Sequence, residues 1–129
     1  MKRFDTILLL LFGLGFWTAG TLWYRQRGHL VFETTPLRFW INFALTPIVS
    51  AAVCLVILRW RQIPPTSWSA AALLIALPGM FGEAILLTHF AIWMPTMQPA
   101  SAGRYAAFLF AAYALVLTIA EVVTLRATP

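Results

Sequence analysis

The chain has little charge and almost no cysteine. Charged residues make up 10% of its 129 positions and hydrophobic residues 61%, whereas about 25% of the residues of a soluble domain are charged. This composition excludes a water-soluble fold. The single cysteine, Cys54, excludes an intrachain disulfide and any cysteine-based metal or haem-attachment motif, and it leaves the redox compartment open.

The motifs of familiar enzymes are also missing. The sequence has no Walker loop, dinucleotide-binding glycine pattern, nucleophile elbow, His-Glu-x-x-His pair or Cys-x-x-Cys pair. We therefore predict no catalytic residue, no metal site and no cofactor, and an enzymatic activity has little support. His89 follows Glu83 at a spacing that puts the two on different faces of a regular helix, so a joint site is not expected.

The positive charge of the chain lies at the ends of its apolar stretches. The formal net charge is +5, which in a soluble protein would suggest nucleic acid. At the ends of apolar stretches, however, basic side chains meet lipid phosphates, so we expect membrane lipids as partners and no nucleic acid. The basic residues are Lys2, Arg3, Arg25, Arg27, Arg38, Arg59, Arg61, Arg104 and Arg126.

Four apolar stretches predict four transmembrane helices in a single integral-membrane domain, residues 1–129. At about 1.5 Å per residue, each stretch can cross a hydrocarbon core of roughly 30 Å. Five of the six tryptophans, which favour the headgroup region, lie within a few residues of a span boundary, and only Trp17 lies deep inside a span. Short connections predict that consecutive helices pack as antiparallel neighbours in an all-α, polytopic transmembrane four-helix bundle. The predicted spans are 6–24, 39–58, 67–94 and 105–125, and the predicted loops are 25–38, 59–66 and 95–104.

Two of the spans leave alternatives open. The Lys2-Arg3 pair ahead of an apolar run also resembles a signal peptide, with small residues at 18–20 as a cleavage site. The run continues to Tyr24, which favours a span. The third span is longer than a bilayer requires, and Pro78-Gly79 near its middle suggests a kink or a break.

An even number of spans places both termini on one side of the membrane. The basic residues divide almost evenly between the two sides, but the N-terminal Lys2-Arg3 pair usually dominates under the positive-inside rule. We therefore expect a multi-pass membrane protein with both termini in the cytoplasm.

Glu83 is the candidate functional residue, because it lies near the centre of the third span. A carboxylate at that depth costs on the order of 2.5–3.5 kcal/mol on insertion scales, so such a group usually faces the bundle interior and is functional or paired. It can serve proton-coupled exchange, or it can be a structural acid satisfied by a hydroxyl or amide group of a neighbouring helix.

A polar row on the second span is the second candidate feature. Asn42, Thr46, Ser50 and Cys54 recur every four residues and share one slowly drifting helix face. The first three can line a ligand site opposite Glu83. Alternatively, the row holds helices together through hydrogen bonds between spans.

Small residues predict close helix packing at several places. Their spacing allows helices to approach either within one bundle or between protomers. The predicted packing residues are Gly15, Ala19, Gly79, Gly82, Gly103, Ala107 and Ala111.

The chain resembles an uncharacterised bacterial family of small four-span inner-membrane proteins, a domain of unknown function. The similar features are Gly-Thr-Leu-Trp-Tyr-Arg from Gly20, Leu-Pro-Gly-Met from Leu77 with the acid Glu83, and the Ala- and Tyr-rich fourth span around Tyr113. The resemblance implies four spans and an acid near Pro-Gly, and it implies no activity.

Two functions follow as hypotheses from these features. One is a homo-oligomeric membrane protein that binds or transports a small solute, ion or lipid, with Glu83 as the titrating group. The other is a non-catalytic accessory or structural subunit that docks against a partner membrane subunit. A lipid-modifying enzyme would need a second polar group near Glu83, for which Thr18 and Tyr113 are the candidates.

Overall fold

The computed structural model describes residues 1–129 and contains helices and loops without strands. Four helices are long and apolar enough to cross a membrane, which confirms the predicted all-α fold and makes the chain a multi-pass membrane protein. Short 3-10 turns precede α3 and α5. The helices are α1 Arg3–Phe32, α2 Pro36–Trp60, α3 Trp68–Thr88, α4 Phe90–Trp93 and α5 Ala102–Ala127.

The predicted loop over residues 25–38 is wrong, because α1 continues through most of it. Only residues 33–35 connect α1 to α2. Arginine and glutamine are good helix formers. The polar residues after Tyr24 therefore end the apolar stretch without ending the helix. Thr35 then begins α2, since its side chain accepts a hydrogen bond from the Arg38 backbone N–H and Pro36 occupies the first helical position.

The third helix ends earlier than the predicted span. Helix α3 runs without a break through Pro78 and stops at Thr88, and His89 separates it from the four-residue α4. Of the apolar residues that extended the prediction, Phe90 and Met94 are buried beside Phe32 and Tyr105 in one apolar cluster, whereas Ile92 and Trp93 are exposed. Hydropathy alone does not distinguish residues buried in protein from residues that face lipid.

The packing order of the helices also differs from the prediction. Helix α1 packs chiefly against α3, α3 against α5, and α5 against α2, whereas α1 and α2 touch less. The prediction of antiparallel sequential neighbours holds for α3 with α5. It is wrong for α1 and α2, whose main neighbours, α3 and α5, run parallel to them. Gly13 explains the contact of α1 with α3, because a Cβ at this position would overlap the backbone carbonyl of Ile75. A short loop fixes where two helices end, but side-chain size decides which faces meet.

The two ends of the bundle are closed by polar contacts. At the terminal end, Arg61 forms an ion pair with Asp5 at 2.8 Å, and the Thr124 hydroxyl donates to the Pro65 carbonyl at 3.0 Å. At the far end, Glu33 accepts hydrogen bonds at 2.6 Å from the Gln98 backbone N–H and the Ser101 hydroxyl. Both chain termini therefore lie at the same end of the bundle.

Candidate functional site

Glu83 lies on the inward face of α3 and is 5% exposed. Its Oε1 accepts a hydrogen bond from the indole Nε1 of Trp17 on α1, over 2.8 Å. Its Oε2 is buried and has no hydrogen-bond partner in the protein. Because a buried polar atom without a partner is costly, the free oxygen marks a place where the fold leaves an interaction open.

A cavity of about 160 Å³ lies beside Glu83, between α1, α2, α3 and α5. Its volume is close to that of an engineered apolar cavity of about 150 Å³ that takes up benzene. Most of its lining residues are hydrophobic, and Glu83 is the only Asp, Glu, Lys, Arg or His among them. The aromatic lining residues are Phe16, Trp17, Tyr24, Tyr105, Phe108 and Tyr113.

The polar row of α2 reaches this cavity with three of its four members. Thr46, Ser50 and Cys54 line it together with Glu83. Asn42 does not line it. Its Oδ1 accepts hydrogen bonds from the Tyr24 hydroxyl at 2.9 Å and the Thr46 hydroxyl at 2.8 Å, so Asn42 ties α2 to α1 at the edge of the cavity. The structure therefore brings Glu83, Thr46 and Ser50 together at the cavity. Asn42 lies behind this lining and contacts it through its hydrogen bond with Thr46.

Trp17 is the partner of Glu83 that the sequence did not identify. Its position as the one tryptophan inside a span was the available signal, because an indole N–H away from water needs an acceptor. The sequence cannot name that acceptor without knowing that α1 packs on α3. Of the two candidate second groups, Tyr113 lines the cavity, whereas the exposed Thr18 donates to the Leu14 carbonyl of its own helix at 2.7 Å.

The predicted packing residues divide into an inner and an outer set. A Cβ on Gly79 would overlap the Tyr113 hydroxyl, and one on Gly82 would overlap the Trp17 ring. These two glycines therefore let large side chains lie against the α3 backbone. The outer set consists of Gly15, Ala19, Gly103, Ala107 and Ala111. Gly15 and Gly103 have open space beside them, Ala19 and Ala107 are exposed, and Ala111 is half-buried.

Comparison with known proteins gives one match. A family described as a family of unknown function (DUF5367) matches residues 30–127, a region that contains Glu83 and Tyr113 but ends short of Trp17 on the N-terminal side. Two of the three features behind the predicted resemblance lie in the matched region, and the Gly20 to Arg25 segment does not. No curated protein and no solved structure matches the chain.

Proposed function

Because the chain belongs to a family of unknown function (DUF5367), we propose from its own geometry that it binds or transports a small solute or ion within its helical bundle. Glu83 is the group that exchanges a proton during this cycle. The observation that carries the proposal is the buried Oε2 of Glu83, which borders a cavity and has no partner in the protein.

The chemistry of a buried carboxyl group supports this role. An ionised carboxylate away from water is costly unless it is paired, and the protein offers Glu83 only uncharged donors, the Trp17 N–H at 2.8 Å and the neighbouring Tyr105 hydroxyl. In one state, a proton on Oε2 neutralises the carboxyl group. In the other state, the carboxyl group is ionised and a bound ligand group interacts with Oε2. Exchange between the two states is what a proton-coupled binding protein requires.

The opposite wall supplies polar groups that can orient a ligand. Thr46 and Ser50 on α2 line the cavity. The Ser50 hydroxyl can donate and accept a hydrogen bond, whereas the Thr46 hydroxyl, which donates to Asn42, can accept one. Asn42 holds Thr46 in place through its Oδ1. The four predicted site residues therefore act as one proton-exchanging acid, two ligand-facing hydroxyls and one supporting amide.

Native mass spectrometry of the full chain, released gently from its own membrane, tests the proposal. We expect a bound mass small enough for a cavity of about 160 Å³, present on the native protein and lost from Glu83→Gln. Glu121→Gln is the matched control, because Glu121 is an exposed carboxylate that binds Ser69 at the terminal end, and it should keep the mass. Equal small-molecule occupancy in Glu83→Gln and the native chain would contradict the proposal.

A second candidate is an accessory subunit of a larger membrane complex or a homo-oligomer. The observation that favours it is the open space beside Gly15 and Gly103 on the outer surface, where small residues allow another helix to approach. The same spectra would show an unlike subunit at fixed stoichiometry, or a second copy of the chain. A chain that always appears alone would exclude this candidate.

For the location, we propose an inner (cytoplasmic) membrane with lipid contacts around the bundle and both termini in the cytoplasm. The Lys2-Arg3 pair at the start of α1 supports this orientation.

A further inference from the structure

The cavity beside Glu83 has the charge character of a cation site. Its lining contains one carboxyl group and no Lys, Arg or His, and the basic residues of the chain lie outside it. An anionic ligand would meet the carboxylate without any opposing positive charge. A cation would pair with the free Oε2, and a charge-assisted hydrogen bond of this kind is roughly twice as strong as a neutral one.

The aromatic walls favour the same sign of charge. The face of an aromatic ring carries negative potential and attracts ammonium and guanidinium groups within about 6 Å. Tyr24 meets Tyr105 and Phe108 edge to face, with centroid distances of 5.7 and 5.5 Å. These contacts hold three of the six aromatic lining residues in place in the cavity wall.

The remaining lining does not fit a divalent metal ion. Calcium takes 6–8 oxygen ligands and magnesium an octahedral set, whereas the chain has no cluster of three or more His, Cys, Asp or Glu side chains. Most of the wall is hydrocarbon, which gains by contact with an apolar body. A volume near 160 Å³ suits a body no larger than about the size of benzene.

We infer that the ligand of this cavity is a small monovalent organic cation, an ammonium group on a compact apolar body, and this inference rests on the proposed function. The ammonium group binds Glu83 Oε2, and the apolar body lies against the aromatic walls. One bound cation replaces one proton on Glu83, so the net charge of the site is the same in both states.

Two probes of nearly equal shape separate charge from size. We would titrate the full chain in phosphatidylcholine nanodiscs with tert-butylammonium chloride and with tert-butanol by isothermal calorimetry, subtracting heats from empty nanodiscs. We expect the ammonium to bind at least about tenfold more tightly, since a hydrogen bond to a charged group contributes about 1.5–3 kcal/mol and 1.4 kcal/mol is a factor of ten.

Variants assign the preference to Glu83. Glu83→Gln keeps an oxygen that can accept from Trp17 but carries no charge, so it should lose the preference for the ammonium and bind tert-butanol at least as tightly, because a buried cation without a counter-charge is costly. Glu121→Gln should keep the native preference, because Glu121 does not line the cavity. A preference that survives in Glu83→Gln would overturn the inference.

The pH dependence gives an independent readout. A proton competes with the ammonium for Glu83, so the affinity for tert-butylammonium should fall as the pH falls, and the affinity for tert-butanol should not. The other titratable lining groups are Tyr24, Cys54, Tyr105 and Tyr113, which in their ordinary ranges are neutral between about pH 5 and 8. Glu83→Gln should lose the pH dependence.

The outcomes distinguish this inference from the proposed function. Tighter binding of tert-butanol than of tert-butylammonium would overturn the cation inference and leave a solute-binding cavity in place. If neither probe bound and the native chain carried no small bound mass, both would be wrong.

Discussion

Trp17 and Glu83 lie 66 positions apart in the chain and form one hydrogen bond across α1 and α3. The depth of Glu83 in its span was visible in the sequence, because a charge-bearing residue stands out in an apolar run. Its partner was not, since the pairing depends on which helix faces α3. The sequence places Thr46 and Ser50 on one face of α2. The cavity that they line together with Tyr105 and Phe108 depends on the fold.

At Gly13 the close approach of α1 and α3 leaves no room for a side chain. A Cβ there would overlap the backbone carbonyl of Ile75, which cannot move as a flexible side chain can. We expect Gly13→Ala to lower the free energy of unfolding by about 1–3 kcal/mol, the usual cost of overpacking. Thermal unfolding in mild detergent measures the effect.

Gly15→Ala on the same helix is the matched control for this prediction. Gly15 has open space around it, so its substitution should leave the melting temperature unchanged or raise it slightly through helix propensity. Equal melting temperatures for the two variants would contradict the close α1–α3 contact.

At the scale of the element, α1 extends well beyond its apolar part. The sequence predicted the existence of four long helices, because length and hydropathy determine that. It did not predict the end of α1, because Arg25 and Arg27 mark the membrane boundary while the helix continues to Phe32. Phe32 is buried against Tyr105 and Phe108, so tertiary packing holds the extension in place.

Gln26→Pro tests the helical extension. Proline inside a helix removes a backbone hydrogen bond and costs about 3 kcal/mol or more, whereas a loop accepts it readily. We expect a large loss of thermal stability and of folded yield. Gln26→Ala, which removes the same exposed side chain and keeps the backbone N–H, should behave like the native chain, and a native-like Gln26→Pro would restore the loop prediction.

For the whole molecule, the structure places both termini at one end of the bundle. Asp5 and Arg61 meet there, as do Thr124 and Pro65. The sequence predicted this through the even number of spans. The sequence did not predict that the parallel helices α1 and α3 pack together. Their contact depends on close approaches such as that of Gly13 to Ile75, and the spacing of small residues does not show which helix each one contacts.

Reporter fusions test the shared side of the termini. Fusions of a cytoplasm-active fluorescent protein at each terminus should both fluoresce. The same protein inserted directly after Thr96, near the far end of the bundle, should not. Opposite signals from the two terminal fusions would contradict the arrangement.

The indole–carboxyl hydrogen bond makes Trp17 a built-in optical sensor of the site. The emission of an indole responds to the charge of its immediate neighbour, and Trp17 is bonded directly to Glu83, while no other tryptophan is hydrogen-bonded to a carboxyl group. Loss or gain of charge on that carboxyl group is therefore expected to appear in the ultraviolet fluorescence of the unlabelled protein. Trp17→Phe would isolate that signal.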